Sequence, residues 1–315
     1  MTKPKVGISA CLLGENVRYD GGHKREPFLS EVFGRCVEWL AVCPELEAGM
    51  GVPREPVRLV ALISAPKLLA EKSGTDWTAA MNDFAARRIA ALKQLTLSGY
   101  IFKKDSPSCG VERVRVYRGA GAPRKDGRGL FAAALIQALP LLPVEEEGRL
   151  HDPKLRENFI DRVFAYQRWQ DLGMERKSLQ ALVRFHTRHK LLLLAHSERH
   201  YRELGRLVAA SKEMPSAEVY REYGRLFMAA LAIHATPKQH ANVLEHMLGY
   251  FSGALSPSER REIVELINEY RHRLIPLIVP ITLIRHFVNK YGIEYLQQQV
   301  YFVPSPPELM LRNYV

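Results

Sequence analysis

The chain has 315 residues, 47% of them hydrophobic and 25% charged. This is the composition of a globular protein long enough for two cores, and it excludes a disordered, collagen-like or disulfide-stapled chain. The formal net charge is +11, with +5 carried by residues 1–150 and +6 by the remainder, so both halves favour a polyanionic partner.

In chain order, Lys5–Ser9 reads as a short buried strand. Ser30–Leu40 reads as a helix, and residues 37–42 lead into the strand that delivers Cys43. Val57–Ile63 is a further strand. Thr75–Ser98 is an amphipathic helix by its alanine and leucine spacing. Gly99–Phe102 is a strand, Gly127–Leu139 a helix and Leu141–Val144 a last strand. This alternation predicts an α/β N-terminal domain with a parallel Rossmann-like sheet. Glu145–Gly148 marks a boundary, giving domains 1–148 and 149–315. Helices over 153–170, 177–209, 216–233, 238–251, 257–272 and 280–290 predict an all-α C-terminal domain. Thr236 to Gln239 and Ser256 to Glu259 each place a hydroxyl cap, a first-turn proline and a capping-box residue at a helix start.

No hydrophobic leader precedes the first strand, and the most apolar later stretch, residues 274–284, is too short to span a bilayer and holds two prolines. A cytoplasmic protein with no membrane association is expected, and no obligate protein partner is inferred.

Three of the four cysteines fall where a predicted strand gives way to a loop: Cys11 in Ser-Ala-Cys-Leu-Leu-Gly, Cys43 in Val-Cys-Pro-Glu, and Cys109 in Ser-Pro-Ser-Cys-Gly. Ligands of parallel sheets bind beyond the carboxyl ends of the strands, so these thiols can meet despite their separation. Metal or cluster binding, catalytic thiol chemistry and zinc are all compatible with the pattern. Three thiolates on a multi-iron cluster would leave one iron free of protein ligands. Cys36 lies in a helical pattern and reads as a core thiol.

Glu45 follows Cys43 by two residues, which suits a general acid or base on the thiol face; a surface or loop-capping glutamate is the alternative. Ser106 and Ser108 flank Pro107 before Cys109, as substrate-orienting hydroxyls or as caps. Arg18, Tyr19 and Asp20, within Val17–His23, form a polar turn suited to a planar heterocycle. Ten of the eleven histidines fall in the second half. His186, Arg188, His189 and Lys190 suit phosphate and base contacts; buried structural histidines or a metal site are the alternatives.

Taken together, Ser-Ala-Cys11-Leu-Leu-Gly, Val-Arg-Tyr-Asp-Gly-Gly, Cys43-Pro-Glu45 and Ser106-Pro-Ser-Cys109-Gly resemble the bacterial thiouracil desulfidase domain. The remainder resembles the helical domain often fused to it, through Phe185-His-Thr-Arg-His-Lys190, His240-Ala-Asn-Val, Pro280-Ile-Thr-Leu-Ile-Arg285-His286 and the terminal Pro-Glu-Leu-Met-Leu-Arg312-Asn. The whole is similar to the fused tRNA thiouridine desulfidases. The resemblance implies a [4Fe–4S] cluster on Cys11, Cys43 and Cys109, with Glu45 as acid/base and Ser106 positioning substrate or relaying a proton. It implies non-redox hydrolysis of 4-thiouridine to uridine in tRNA, with Arg285 and His286 joining the RNA contacts. The alternative is an accessory protein that binds nucleic acid and carries a structural or sensing cluster.

Overall fold

The computed structural model describes residues 2–61, 66–119, 121–174 and 178–314. The chain divides into two compact units, Met1–His151 and Asp152–Val315.

In the first unit β1 (Lys5–Ser9), β2 (Glu38–Val42), β3 (Val57–Ala61), β4 (Pro66–Ala70), α1 (Thr78–Gln94), β5 (Gly99–Phe102), β6 (Val114–Tyr117), β7 (Arg124–Gly127), α2 (Leu130–Ala138) and β8 (Val144–Glu146) follow in order. Four strands form a parallel sheet in the order β2-β1-β5-β8. Every residue of β5 is buried, as a strand covered on both faces requires. Tyr100 and Phe102 pack with Phe131 of α2, and Phe131 meets Phe84 of α1 at 5.7 Å between ring centroids. The predicted α/β architecture is therefore present.

Three expectations fail in detail. The last strand, expected over Leu141–Val144, is β8 and runs instead over Val144–Glu146, overlapping the expected domain boundary. Ser30–Leu40 is not one helix: a π-turn over Phe28–Val32 passes into a 3-10 turn over Phe33–Arg35, and β2 has begun by Glu38. The strand beginning at Val57 does not join the parallel sheet. It pairs antiparallel with β4 and parallel with β6 in a second sheet, ordered β4-β3-β6-β7. Residues 62 and 63, the predicted end of that strand, lie outside the described residues. β7 escapes the sequence pattern because it reads Arg-Lys-Asp-Gly, with no apolar residue to mark a strand, whereas β6 alternates as Val-Arg-Val-Tyr but is only four residues long.

The second unit holds α3 (Pro153–Met174), α4 (Leu179–His196), α5 (Glu198–Ala209), α6 (Ser216–Ala232), α7 (Pro237–Leu248), α8 (Pro257–Arg271), α9 (Ile278–Lys290) and α10 (Glu294–Gln297). The segment read as one helix from 177 to 209 breaks at Ser197, whose extended backbone ends α4 and whose hydroxyl caps α5; residue 177 lies outside the described residues. Both expected capping boxes form, at Thr236 with Gln239 and at Ser256 with Glu259. The core is aromatic: Trp169 stacks on Tyr223 at 5.3 Å, and Phe185 meets Phe227 at 5.2 Å. No helix among the described residues is long and apolar enough to cross a membrane.

Candidate active site

The three cysteine motifs leave three neighbouring strands of the parallel sheet. Cys11 lies in a 3-10 turn directly after β1, Cys43 directly after β2, and Cys109 on the loop that follows β5. Neighbouring strands run about 4.8 Å apart, so adjacency in the sheet converts a sequence separation of 98 residues into a shared cavity. That cavity, about 500 Å³, is lined by all three of these cysteines together with Glu45 and Ser106. Cys36 does not line it. All four thiols are free.

Local chemistry holds each motif in place. Gly14 closes the Cys11 turn at φ +99, in the left-handed region where a Cβ is strained. The amides of Leu130, Phe131 and Ala132, at the start of α2, donate to the carbonyls of Pro107 and Ser108. That approach needs Gly129, because a Cβ there would lie 2.4 Å from the Ser108 carbonyl carbon. Ser106 Oγ accepts from the amides of Ser108 and Cys109 at 3.2 and 3.1 Å, which caps the cysteine loop. Ser9, at the end of β1, accepts from the Lys103 amide at 3.0 Å and hydrogen-bonds the Cys109 thiol. Neither Ser9 nor Gly129 carried a sequence signal.

Glu45 is held from two sides. Arg54 Nη2 and Nε converge on Oε2 at 2.7 and 3.0 Å, while Ser108 Oγ donates to Oε1 at 3.0 Å. Arg54 also donates through Nη1 to the carbonyls of Val17 and Gly51, both at 2.9 Å. Its amide donates to Tyr19 O at 2.9 Å. One guanidinium therefore fixes both the carboxylate and the loop expected to recognise substrate. On that loop Arg18 and Tyr19 face the cavity. Asp20 instead accepts from the Gly22 amide at 3.1 Å and pairs with Arg18 at 3.3 Å, which places it in the turn. Of the two serines, Ser108 bonds Glu45 and Ser106 lines the cavity.

Burial pushes the Cys11 thiol up to about 11, and the neighbouring Cys43 adds to the shift against Lys103 and Arg18. Burial likewise raises Cys43 and, well beyond the ordinary range, Cys109. Three desolvated thiolates repel one another and need a positive centre among them. Among the described residues no group of three or more His, Cys, Asp or Glu is spaced for a single metal ion. Three thiols spread around one cavity fit a multi-iron cluster better than a lone zinc.

The 2-thiouracil desulfurase family model matches residues 6–147. The uncharacterized protein YbgA of Escherichia coli (strain K12) is 34% identical over 153 residues, which cover 48% of this chain and 90% of YbgA. The uncharacterized protein YbbK of Bacillus subtilis (strain 168) is 32% identical over 137 residues, 42% of this chain and 89% of YbbK. The chain belongs to the 2-thiouracil desulfurase family. A second model, for a protein of unknown function (DUF1722), matches residues 190–306. Among solved structures, the [4Fe-4S]-dependent thiouracil desulfidase TudS aligns at 31% identity and a TM-score of 0.40, covering 48% of this chain and 95% of its own.

In the helical unit of this desulfurase-family chain, the expected RNA contacts divide. Arg188, Arg285 and His286 are exposed and Lys190 is half-buried. His186 and His189 are interior, which corrects their assignment to a contact surface. His186 Nδ1 lies 3.1 Å from Tyr223 Oη, and the His189 ring stacks on Phe185 at 4.0 Å. Burial lowers His186 to about 4 and His189 further, so both are neutral core groups. His196 and His240 are buried as well, beside a second cavity of about 90 Å³ that Glu157, Asp161 and Arg312 also line. Burial raises Glu157 to about 8, Asp161 adding to the shift.

Proposed function

We propose that this protein removes sulfur from 4-thiouridine in tRNA to give uridine, in the cytoplasm. Residues 1–148 carry the chemistry and residues 149–315 grip the RNA. Membership of the 2-thiouracil desulfurase family supports desulfuration of a thiolated pyrimidine as the reaction class. The observation that carries the reading is the meeting of Cys11, Cys43 and Cys109 with a doubly held Glu45 around one cavity.

Cys11, Cys43 and Cys109 would hold a [4Fe–4S] cluster. When bound, the cluster supplies an iron without a protein thiolate, a Lewis acid matched to a soft thiocarbonyl sulfur. Arg18 and Tyr19, on the cavity wall, orient the ring. Glu45 accepts a proton from the water that attacks the sulfur-bearing carbon and returns it to the departing sulfide. Ser108 and Arg54 keep its two oxygens fixed while it does so. Ser106, on the cavity wall, orders the cysteine loop and has its own proton free to donate toward substrate. The formal charge of +11 supports a polyanionic substrate.

The test is near-UV absorbance of 4-thiouridine-bearing tRNA incubated with anaerobically reconstituted protein. Loss of the thiouridine band with stoichiometric sulfide supports the proposal. An unchanged band, with the cluster intact and tRNA bound, rejects it in favour of an accessory role.

A further inference from the structure

The second sheet of the first unit carries a feature that the reaction does not use. Along β6, Val114 and Val116 are buried while Arg115 is exposed, and along β3 Leu59 is buried between Arg58 and Val60. The register that sets Leu59 beside Val116 brings Arg58 next to Arg115. Across the other edge of β6, Arg115 stands opposite Lys125 of β7. Three cations thus lie side by side across three strands. None of the three makes an ion pair with any described residue, and Arg58 Nε is buried without a hydrogen-bond partner. Like charges directly opposed across strands destabilise a sheet, so the fold alone gives no reason for this row.

Its placement gives one. Arg58, Arg115 and Tyr117 line the cavity that holds the cysteines, whereas Lys125 lies beyond its wall. The row leads from the site outward. Arg58 sits over the Tyr117 ring at 4.9 Å, an aromatic surface with a cation against it. The register of β6 on β7 slips between Val114 and Arg115, and bulges of this kind re-aim side chains beside active sites. A cationic track with an aromatic face at its inner end is the construction used to hold a single nucleic-acid strand.

We propose that Arg58, Arg115 and Lys125 bind the phosphodiester backbone of the RNA segment that flanks the target nucleotide. RNA engagement is then a property of the catalytic unit itself and not only of the helical one. The inference rests on the reading of the substrate as a nucleotide carried within RNA.

The experiment is binding of unmodified tRNA by the full chain over a salt series, comparing wild type with Lys125→Ala, Lys125→Arg and Arg115→Ala/Lys125→Ala. The slope of log K against log salt should fall by about 0.7–0.9 for each phosphate contact removed. Affinity should weaken in step, and Lys125→Arg should keep both. Wild-type slope and affinity in folded Lys125→Ala and double-variant protein would overturn the proposal, as would a wild-type chain without affinity for tRNA. Lys125 is exposed, so its variant decides the matter even where the double variant fails to fold. The unmodified probe separates the two claims. Binding along the row with 4-thiouridine left untouched rejects desulfuration alone, and desulfuration with an unchanged salt slope rejects the row alone.

Discussion

Replacing Arg54 by methionine tests whether Glu45 is a charge the fold is built to hold. The Arg54 side chain is 6% exposed and that of Glu45 14%, so the ion pair is largely withdrawn from water. Removing one partner of a buried pair costs about 3–5 kcal/mol, because the remaining charge stays desolvated. Loss of the Nη1 bonds to Val17 O and Gly51 O adds about 1 kcal/mol each. The sum, about 5–7 kcal/mol, is a large share of the 5–15 kcal/mol typical of a whole domain. The melting temperature of the first unit should drop by roughly 10–28 °C. If the unpaired charge dominates, adding Glu45→Gln to Arg54→Met should restore part of that loss, although it removes a second native group. Thermal unfolding of the reduced chain followed by circular dichroism reads all three variants. A double variant no more stable than Arg54→Met would refute the argument and leave packing and the loop carbonyls as the whole of the effect.

Glu45→Gln alone should cut desulfuration by about 10²–10⁴-fold while cluster iron stays stoichiometric, checked by iron content beside turnover. Ser108→Ala removes the donor to Oε1, a hydrogen bond to a charged group of about 1.5–3 kcal/mol, and should lower kcat by roughly 10–100-fold. Ser106→Ala removes instead the acceptor for two loop amides, so its main effect should fall on cluster retention, read from the visible spectrum after desalting. Stability of the helical unit should peak near pH 7, where the proton uptake of the four histidines in the unfolded chain has fallen to match the one proton held on Glu157. Below that, the unfolded chain protonates His186, His189, His196 and His240, which burial keeps neutral in the fold. Between pH 7 and 8 the fold keeps on Glu157 a proton that the unfolded chain has released, so stability declines as pH rises, by at most about 1.4 kcal/mol per unit. Glu157→Gln should flatten that alkaline limb in far-UV circular dichroism melts, and an unaltered limb would remove Glu157 as its cause.

That Cys11, Cys43 and Cys109 could meet was legible because each sits in a short motif where a predicted strand gives way to a loop. What the motifs do not record is which strands are neighbours. Nothing in Val57–Ala61 announces that it leaves the parallel sheet, since a short, mainly apolar strand reads the same in either. Arg54 was invisible for a related reason. It lies in a Pro-Arg-Glu-Pro loop, and its importance comes from reaching back 37 residues to Val17 and 9 to Glu45. The histidines misled in the opposite direction. A run of His, Arg and Lys resembles an RNA contact, yet α4 turns His186 and His189 inward among Tyr223, Phe185 and Phe227, and only Arg188 is left exposed on the outer face. Nδ1 of His186 bonds Tyr223, Nδ1 of His189 bonds the Phe185 carbonyl, and His189 Nε2 accepts from Arg168 Nε at 3.2 Å, so they behave as polar core groups.

The ordering β2-β1-β5 explains how three thiols and a carboxylate come to share one cavity. β1 is central to the trio, and its two neighbours end at the same edge because all three run parallel. A parallel sheet therefore delivers three chain exits to one edge, where an antiparallel arrangement would send the middle one to the opposite side. The backbone then leaves each strand differently. It makes a 3-10 turn at Cys11, runs directly into Pro44 and Glu45 at Cys43, and forms a hydroxyl-capped loop against the start of α2 at Cys109. The carboxylate is tied to two of these exits at once, following Cys43 in sequence and accepting from Ser108 on the Cys109 loop. A displacement of either loop must move Glu45 relative to the third thiol, and the position of the carboxylate is thereby linked to the positions of the cysteines.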